Sequence, residues 1–497
     1  MNEVRFSVLV YLKNPDPDKY REMLLSLAEE GYSNFELYLL QASGASSREK
    51  NNDSLEKQAA YSEYARMAAE IFPREGKVHF RQIGQDATAA RAYNTGIRFA
   101  SGDYMIFLGQ EDMLSPDYME AVEKEVIQTL VEGEAGTLDF DDLRRAASGN
   151  KLRQWKETAP DLIYTDHDEL IQGTRMNPHF KGGFNRELLL QSDYIGCSQV
   201  ISMGLLRKLG FFDESLDACE LYDYMLRIEG LLREGTKLRI VRIPRLLYHQ
   251  RIKEVPESVF RRLLADRYNT YLKVAEAHRK KYAIEGQYKR DAQYRFWRLE
   301  RKGRDYRVHR GSYIFVKDRG IEARGMRVLP RLYAHLREPD VAVVALKITN
   351  REGRVDNCGF IYDEEGISYP ACAKMHPSEE GYAGRLLISQ EISCADPGCC
   401  LIDAAVYKKL RGFRKDLAER DRMLDFCLRA RAAGYRIIYE PQATARRKEQ
   451  SPESSRYSHE KMMKMYGPSG ENTRIRFGQG DPYYNPNLPM GVTNYTL

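Results

Sequence analysis

The sequence predicts an α/β protein built on a mostly parallel sheet, and three observations carry that expectation. Short apolar runs alternate with amphipathic stretches of helical period through the first 130 residues. Those runs lack an alternating polar face, which marks strands covered on both sides. A domain-sized pattern then recurs in the second half, which predicts two tandem copies of one architecture, the second truncated at its front.

The elements follow in order. FSVLVYL (6–12) reads as a buried strand, and KNPDPDKYREMLLSLAEEG (13–31) as a turn and an amphipathic helix. FELYLLQ (35–41) and VHFRQI (78–83) read as strands, each followed by a helix, at 54–72 and 87–100. DYMIFLG (103–109) is a fourth strand, and Ser115–Pro116 offers an N-cap and first turn for a helix running to 130. Residues 131–158 are polar and charged and read as a surface insertion. Strands are expected again at 161–166, 193–202 and 238–251, with a helix around ELYDYMLR (220–227). From 255 to 310 the chain is basic and helix-like, a connector whose charge run reads as a solvated face. Beyond it, GSYIFVKDRGIE (311–322) echoes SGDYMIFLGQEDM (101–113), and 423–441 echoes 221–244. The expected domains are therefore 1–254, the connector 255–310, and 311–497.

Composition narrows the function classes. Apolar residues make up 42% and charged residues 30%, with a net charge of +5 of mixed sign, too mild to argue for nucleic acid. No apolar run reaches membrane-spanning length, and MNEVRFSVLV enters a strand without a signal peptide's regions, so a cytoplasmic protein is expected. Cys394, Cys399 and Cys400 invite a zinc reading, but no paired C-x-x-C and no nearby His complete it, which favours buried thiols. YLKNPDP lacks the glycines of a nicotinamide-type phosphate loop. On such a sheet ligands bind beyond the carboxyl ends of the strands, so the tails of the second and fourth strands are where chemistry is expected.

Several stretches together carry a resemblance. They are FSVLVYLKNP, ARAYNTGIRFASGDYMIFLGQEDMLSPDYME, LIYTDHDE, NPHFKGGFNRELLLQSDYIG, GFFDESL, IPRLLYHQR and, further on, REPDVAVVALKI, GFRKDLAERDRMLDFCLRARAAGYRIIYEP and DPYYNPNL. In order and spacing the chain resembles the family-two glycosyltransferases of the GT-A fold, in the tandem-domain form that assembles O-antigen and other cell-surface polysaccharides. The resemblance implies a nucleotide-diphosphate sugar donor, a glycan acceptor and a divalent metal, manganese or magnesium, acting as a Lewis acid. It implies metal ligation by Glu111 and His249, and nucleotide-sugar contacts from Asn14, Gln41, Asn94 and Asp112.

The departures from that pattern are specific. Gln41 and Ala42 stand where the family has acids, and Gly109 stands where the metal motif begins, ahead of Gln110, Glu111 and Asp112. The general-base position falls on Leu221, which cannot accept a proton; Glu220 and Asp223 are the acids left nearby. In the second copy the metal motif falls on Asp318, Arg319 and Gly320, the base on Met423 and the late His on Arg447. Three readings remain open. The chain is a transferase of impaired activity, or a pseudo-glycosyltransferase that binds sugar or nucleotide and partners an active transferase. In the third, Glu111 and Asp112 merely cap the following helix. A cytoplasmic location, reaching the inner membrane face by peripheral association, fits the first two.

Overall fold

The structure is a computed structural model that describes residues 4–42, 63–131 and 159–490, apart from 75, 85, 217, 292, 294–295, 302–310, 324, 449–454 and 472–474. The insertion expected at 131–158 lies, beyond Val131, outside the described residues. The chain divides into two units, Met1–Lys181 with Ile195–Tyr271, and Gly182–Tyr194 with Leu272–Leu497. This division differs from the expected boundaries at 254 and 310. It falls within the helix Glu257–Lys281, and the stretch 182–194 joins the second unit.

The first unit holds β1 (Phe6–Leu12), β2 (Phe35–Ala42), β3 (Val78–Ile83), β4 (Tyr104–Leu108), β5 (Met113–Leu114), β6 (Leu162–Ile171), β7 (Thr174–His179), β8 (Gln199–Ser202) and β9 (Ile240–Arg251). Their order is β3-β2-β1-β4-β8-β6-β9-β5, with β7 on the side of β6. The front four strands are parallel, β8 runs antiparallel between β4 and β6, and β6 and β9 are parallel. This is an α/β sheet with a parallel front half, as the sequence predicts. Val8, Val10 and Leu12 on one face of β1 are fully buried and pack in one core with Leu24 and Leu27 of the helix Pro17–Glu29. Each such side chain contributes about 1.5–3 kcal/mol. On the opposite face, a Cβ at Gly96 would lie 2.4 Å from Leu9 Cδ2, so glycine lets the helix Ala89–Phe99 close on the sheet.

Two local expectations are corrected. The strand expected at 193–202 begins only at Gln199, because Gly196 turns the chain at φ +64° and its carbonyl accepts from the Gln199 side-chain Nε2 at 2.6 Å. The fourth helix starts at Tyr118, and Ser115 does not cap it: its hydroxyl is used by His249. The Glu30 carboxylate, from the end of another helix, accepts the Met119 N–H at 3.0 Å instead. Burial pushes this carboxyl up to about 8.

The second unit begins its strands with the hairpin β10 (Gln287–Arg290) and β11 (Trp297–Glu300). Then come β12 (Tyr313–Lys317), β13 (Ile321–Glu322), β14 (Val341–Thr349), β15 (Val355–Asn357), β16 (Phe360–Tyr362), β17 (Ser368–Pro370), β18 (Gln390–Glu391), β19 (Cys399–Asp403) and β20 (Arg436–Arg447). The order β12-β19-β14-β20-β13 repeats β4-β8-β6-β9-β5, strand for strand and sense for sense. Even the caps recur: Ser202 at the end of β8 accepts the Leu205 N–H, and Asp403 at the end of β19 accepts the Val406 N–H. Among the described residues nothing in this sheet corresponds to β1–β3. No helix among the described residues is long and apolar enough to cross a membrane.

Candidate functional site

The tips of β1 and β4 are tied to each other by the residues of interest. Asn14, exposed just beyond β1, takes the left-handed conformation at φ 52°, which turns the chain toward the helix Pro17–Glu29. The Lys13 N–H donates to Gln110 Oε1 at 2.6 Å, and Gln110 Nε2 donates back to the Lys13 carbonyl at 3.3 Å. The Asp16 N–H donates to Glu111 Oε1 at 3.0 Å. Glu111 is 4% exposed, and Lys253 Nζ reaches the same oxygen at 3.4 Å. Gln110 and Glu111 thus act as clamps between two loops.

Asp112 is committed as well. Tyr248 Oη donates to its Oδ2 at 2.6 Å and the Arg251 N–H to its Oδ1 at 2.8 Å. Burial pushes this carboxyl up to about 6. A Cβ at Gly109 would lie 2.1 Å from Asp112 Oδ2, so the absent first acid has no room beside the present one. The Gly109 N–H donates to Tyr248 Oη at 3.1 Å, which completes a closed arrangement. His249 lies across from Met113 in the β5–β9 register. Its Nδ1 meets Asp168 Oδ1 at 2.6 Å and its Nε2 meets Ser115 Oγ at 3.0 Å, and burial lowers its pKa.

The expected metal ligands are therefore both engaged, Glu111 by Asp16 and Lys253, and His249 at both ring nitrogens. Among the described residues no group of three His, Cys, Asp or Glu side chains could hold a metal ion. The residues present do not fit the divalent metal that the resemblance implies.

The remaining positions separate. Gln41 is buried at the end of β2, and its Oε1 has no hydrogen-bond partner among the described residues. Asn94 is 3% exposed and holds a loop: its Nδ2 donates to the Phe212 carbonyl, and the Phe212 N–H donates to its Oδ1. Glu220 is buried in the first turn of the helix Glu220–Arg233. Its charge and that of Asp112 both act on the Tyr93 hydroxyl, whose pKa is raised by burial first and by these acids second. Glu220 and Asp112 thus share one neighbourhood. Asp223 instead binds Arg227 Nε at 2.8 Å, and Arg227 Nη1 donates to the Phe211 carbonyl. Tyr248, Arg251, Lys253 and Asp168 went unrecognised in the sequence. Their only signal is proximity to His249 in LYHQRIK and to LIYTDHDE.

The second unit repeats this geometry with other chemistry. Ile321 faces Arg447 in the β13–β20 register, as Met113 faces His249. Asp318, Arg319 and Gly320 consequently correspond to Gln110, Glu111 and Asp112. The Arg447 guanidinium is 3% exposed and donates to Asp396 at 2.6 and 2.7 Å and to Asp356 at 3.0 Å. Met423 is fully buried. Asp425 binds Arg429, which donates to the Leu410 and Gly412 carbonyls, the counterpart of Asp223 and Arg227. All eight cysteines are free thiols, and those at 394, 399 and 400 have pKa values raised chiefly by burial.

Residues 59–210 match the model of the glycosyl transferase family 2. An uncharacterized protein of Sinorhizobium fredii, y4gI, is 23% identical over 99% of this chain and 58% of its own length. The O-antigen biosynthesis protein RfbC of Myxococcus xanthus is 30% identical over 38% of this chain and 12% of its own. The chain thus spans less than two thirds of either relative. Among solved structures, residues 1–349 of S. aureus TarS in complex with UDP-GlcNAc are 13% identical, with a TM-score of 0.35, over 55% of this chain and 66% of that one. The stretch that matches the glycosyl transferase family 2 model lies mostly in the first unit, with 182–194 in the second.

Proposed function

We infer that the first unit binds a nucleotide-diphosphate sugar and serves cell-surface polysaccharide assembly on a glycan acceptor, with transfer impaired by the loss of its general base. The observation that carries this reading is Gln41, a buried amide at the tip of β2 whose Oε1 lacks a hydrogen-bond partner among the described residues. It stands at the carboxyl ends of parallel strands, where sheets of this kind take ligands. A buried acceptor left unsatisfied costs about 1–3 kcal/mol, and a ligand N–H would recover that. The name of the Myxococcus relative supports the assembly role. Cytoplasmic work at the inner membrane face, beside another glycosyltransferase, completes the proposal. Calorimetric titration with a panel of nucleotide-diphosphate sugars tests it. Binding weakened by Gln41→Leu supports it, and no heat with any of them rejects it.

A second reading, binding without transfer, is favoured by Leu221 and by the clamp role of Asp223. The repeat of that clamp at Asp425 and Arg429 indicates that the aspartate serves loop packing in both units. Leu221→Asp separates the two. If only the base is missing, turnover of a bound donor rises by about 10²- to 10⁴-fold. If turnover stays at the background rate, the unit is a binding module.

A further inference from the structure

We propose that the first unit takes a nucleoside diphosphate without a divalent metal, with Lys253 supplying the cation at the pyrophosphate. This rests on reading the face as a nucleotide-sugar site, and it deepens that reading from the way the local acids are committed. The Glu111 side chain is 5% exposed and that of Lys253 is 60% exposed, so the ammonium stands on the solvent side of the carboxylate it pairs with. An ammonium has three donors. Lys253 forms an ion pair with Glu111 at 3.4 Å, and no other partner of Lys253 occurs among the described residues. Asp112 is occupied by Tyr248 Oη and the Arg251 N–H. The Arg251 guanidinium is spent on the Glu111 carbonyl and on Glu22, whereas the Lys253 ammonium beside Glu111 remains open to an arriving anion.

A divalent ion reaching Glu111 would have to displace Lys253 and would meet its positive charge on the way. A diphosphate meets a lysine point charge instead, a common phosphate partner. The second unit makes a related exchange independently. There the register position of His249 is taken by Arg447, which is fixed between Asp356 and Asp396. In both units a protein cation stands at the corner where the sheet gathers acids.

The test is calorimetric titration of the whole chain with uridine, guanosine and adenosine diphosphates, in EDTA and again in manganese. The expected result is binding of at least one of them in EDTA, with affinity in manganese within about twofold. Lys253→Glu should weaken that binding about tenfold or more while Lys253→Arg retains it, with unchanged unfolding midpoints for both. Binding that appears only with manganese and vanishes in Glu111→Ala overturns this proposal and leaves the nucleotide-site reading standing. Metal-free binding that ignores Lys253→Glu overturns the assignment of the lysine. Failure of all three diphosphates under both conditions overturns the nucleotide-site reading itself.

Discussion

The Asp112 carboxyl is committed to two hydrogen bonds, from Tyr248 Oη and the Arg251 N–H. Its folded pKa of about 6 lies above the ordinary 3.8, so the folded state holds the proton more tightly than the unfolded chain. The stability tied to that proton is fully present below about pH 4 and is lost as pH rises through 6, a loss of about 3 kcal/mol for a shift of about two units. Urea unfolding from pH 4 to 7 should show that decline, and Asp112→Asn should reduce it by about 3 kcal/mol, leaving the part that the raised Glu30 carboxyl contributes. Gly109→Asp, the change that would restore the missing acid, should lower the unfolding midpoint and bring no manganese binding, because Asp112 fills the space of the new Cβ. The positions of Gly109, Gln110, Glu111 and Asp112 were legible in the sequence, since a strand ending in acids is a local pattern. Their partners were not. Lys13 bonds to Gln110 from 97 positions away and Arg251 to Asp112 from 139, and nothing local announces such pairs.

At the scale of elements, the repeat was legible because it is written in apolar order, which the sheet needs for packing. DYMIFLG and GSYIFVK become β4 and β12, paired antiparallel with β8 and β19 respectively. What escaped was capping and turn chemistry that depends on tertiary partners, as with Ser115, whose local pattern promises a cap while His249 takes its hydroxyl. Where the cap is local, it recurs in both units. Ser202→Ala and Asp403→Ala should each cost about 1 kcal/mol, measured by chemical denaturation. Each loss should fall on the transition of its own unit. A shared loss in a single transition would mean that the two units unfold as one.

At the scale of the whole molecule, the decisive feature is the path of the chain. Residues 182–194 lie in sequence inside the first unit but supply the second with Arg186 and Glu187. Arg301, with 1% of its side chain exposed, binds Glu187 at 2.9 Å and Glu338 at 2.7 Å. Arg436 and Arg186 both bind Asp340, and His335 binds Glu440 at 2.9 Å. The expected boundaries at 254 and 310 differ from this division, because NPHFKGGFNRELLLQSDYIG carries no compositional break to show where its contacts go. Charges so deeply buried stabilise only as a complete set: removing one partner strands the other, at a cost of about 3–5 kcal/mol. Arg301→Met should therefore cost the second unit about that much, while Arg301→Met with Glu187→Leu should cost less than Arg301→Met alone. A double-mutant cycle by thermal unfolding measures the difference. By the same logic a fragment of residues 272–497 lacks Glu187 and leaves Arg301 and Arg436 short of a carboxylate in the core. It should show no cooperative transition, whereas the whole chain does. A fragment that unfolds cooperatively, with the midpoint of the intact second unit, would remove 182–194 from the folding unit and return the boundary to the connector.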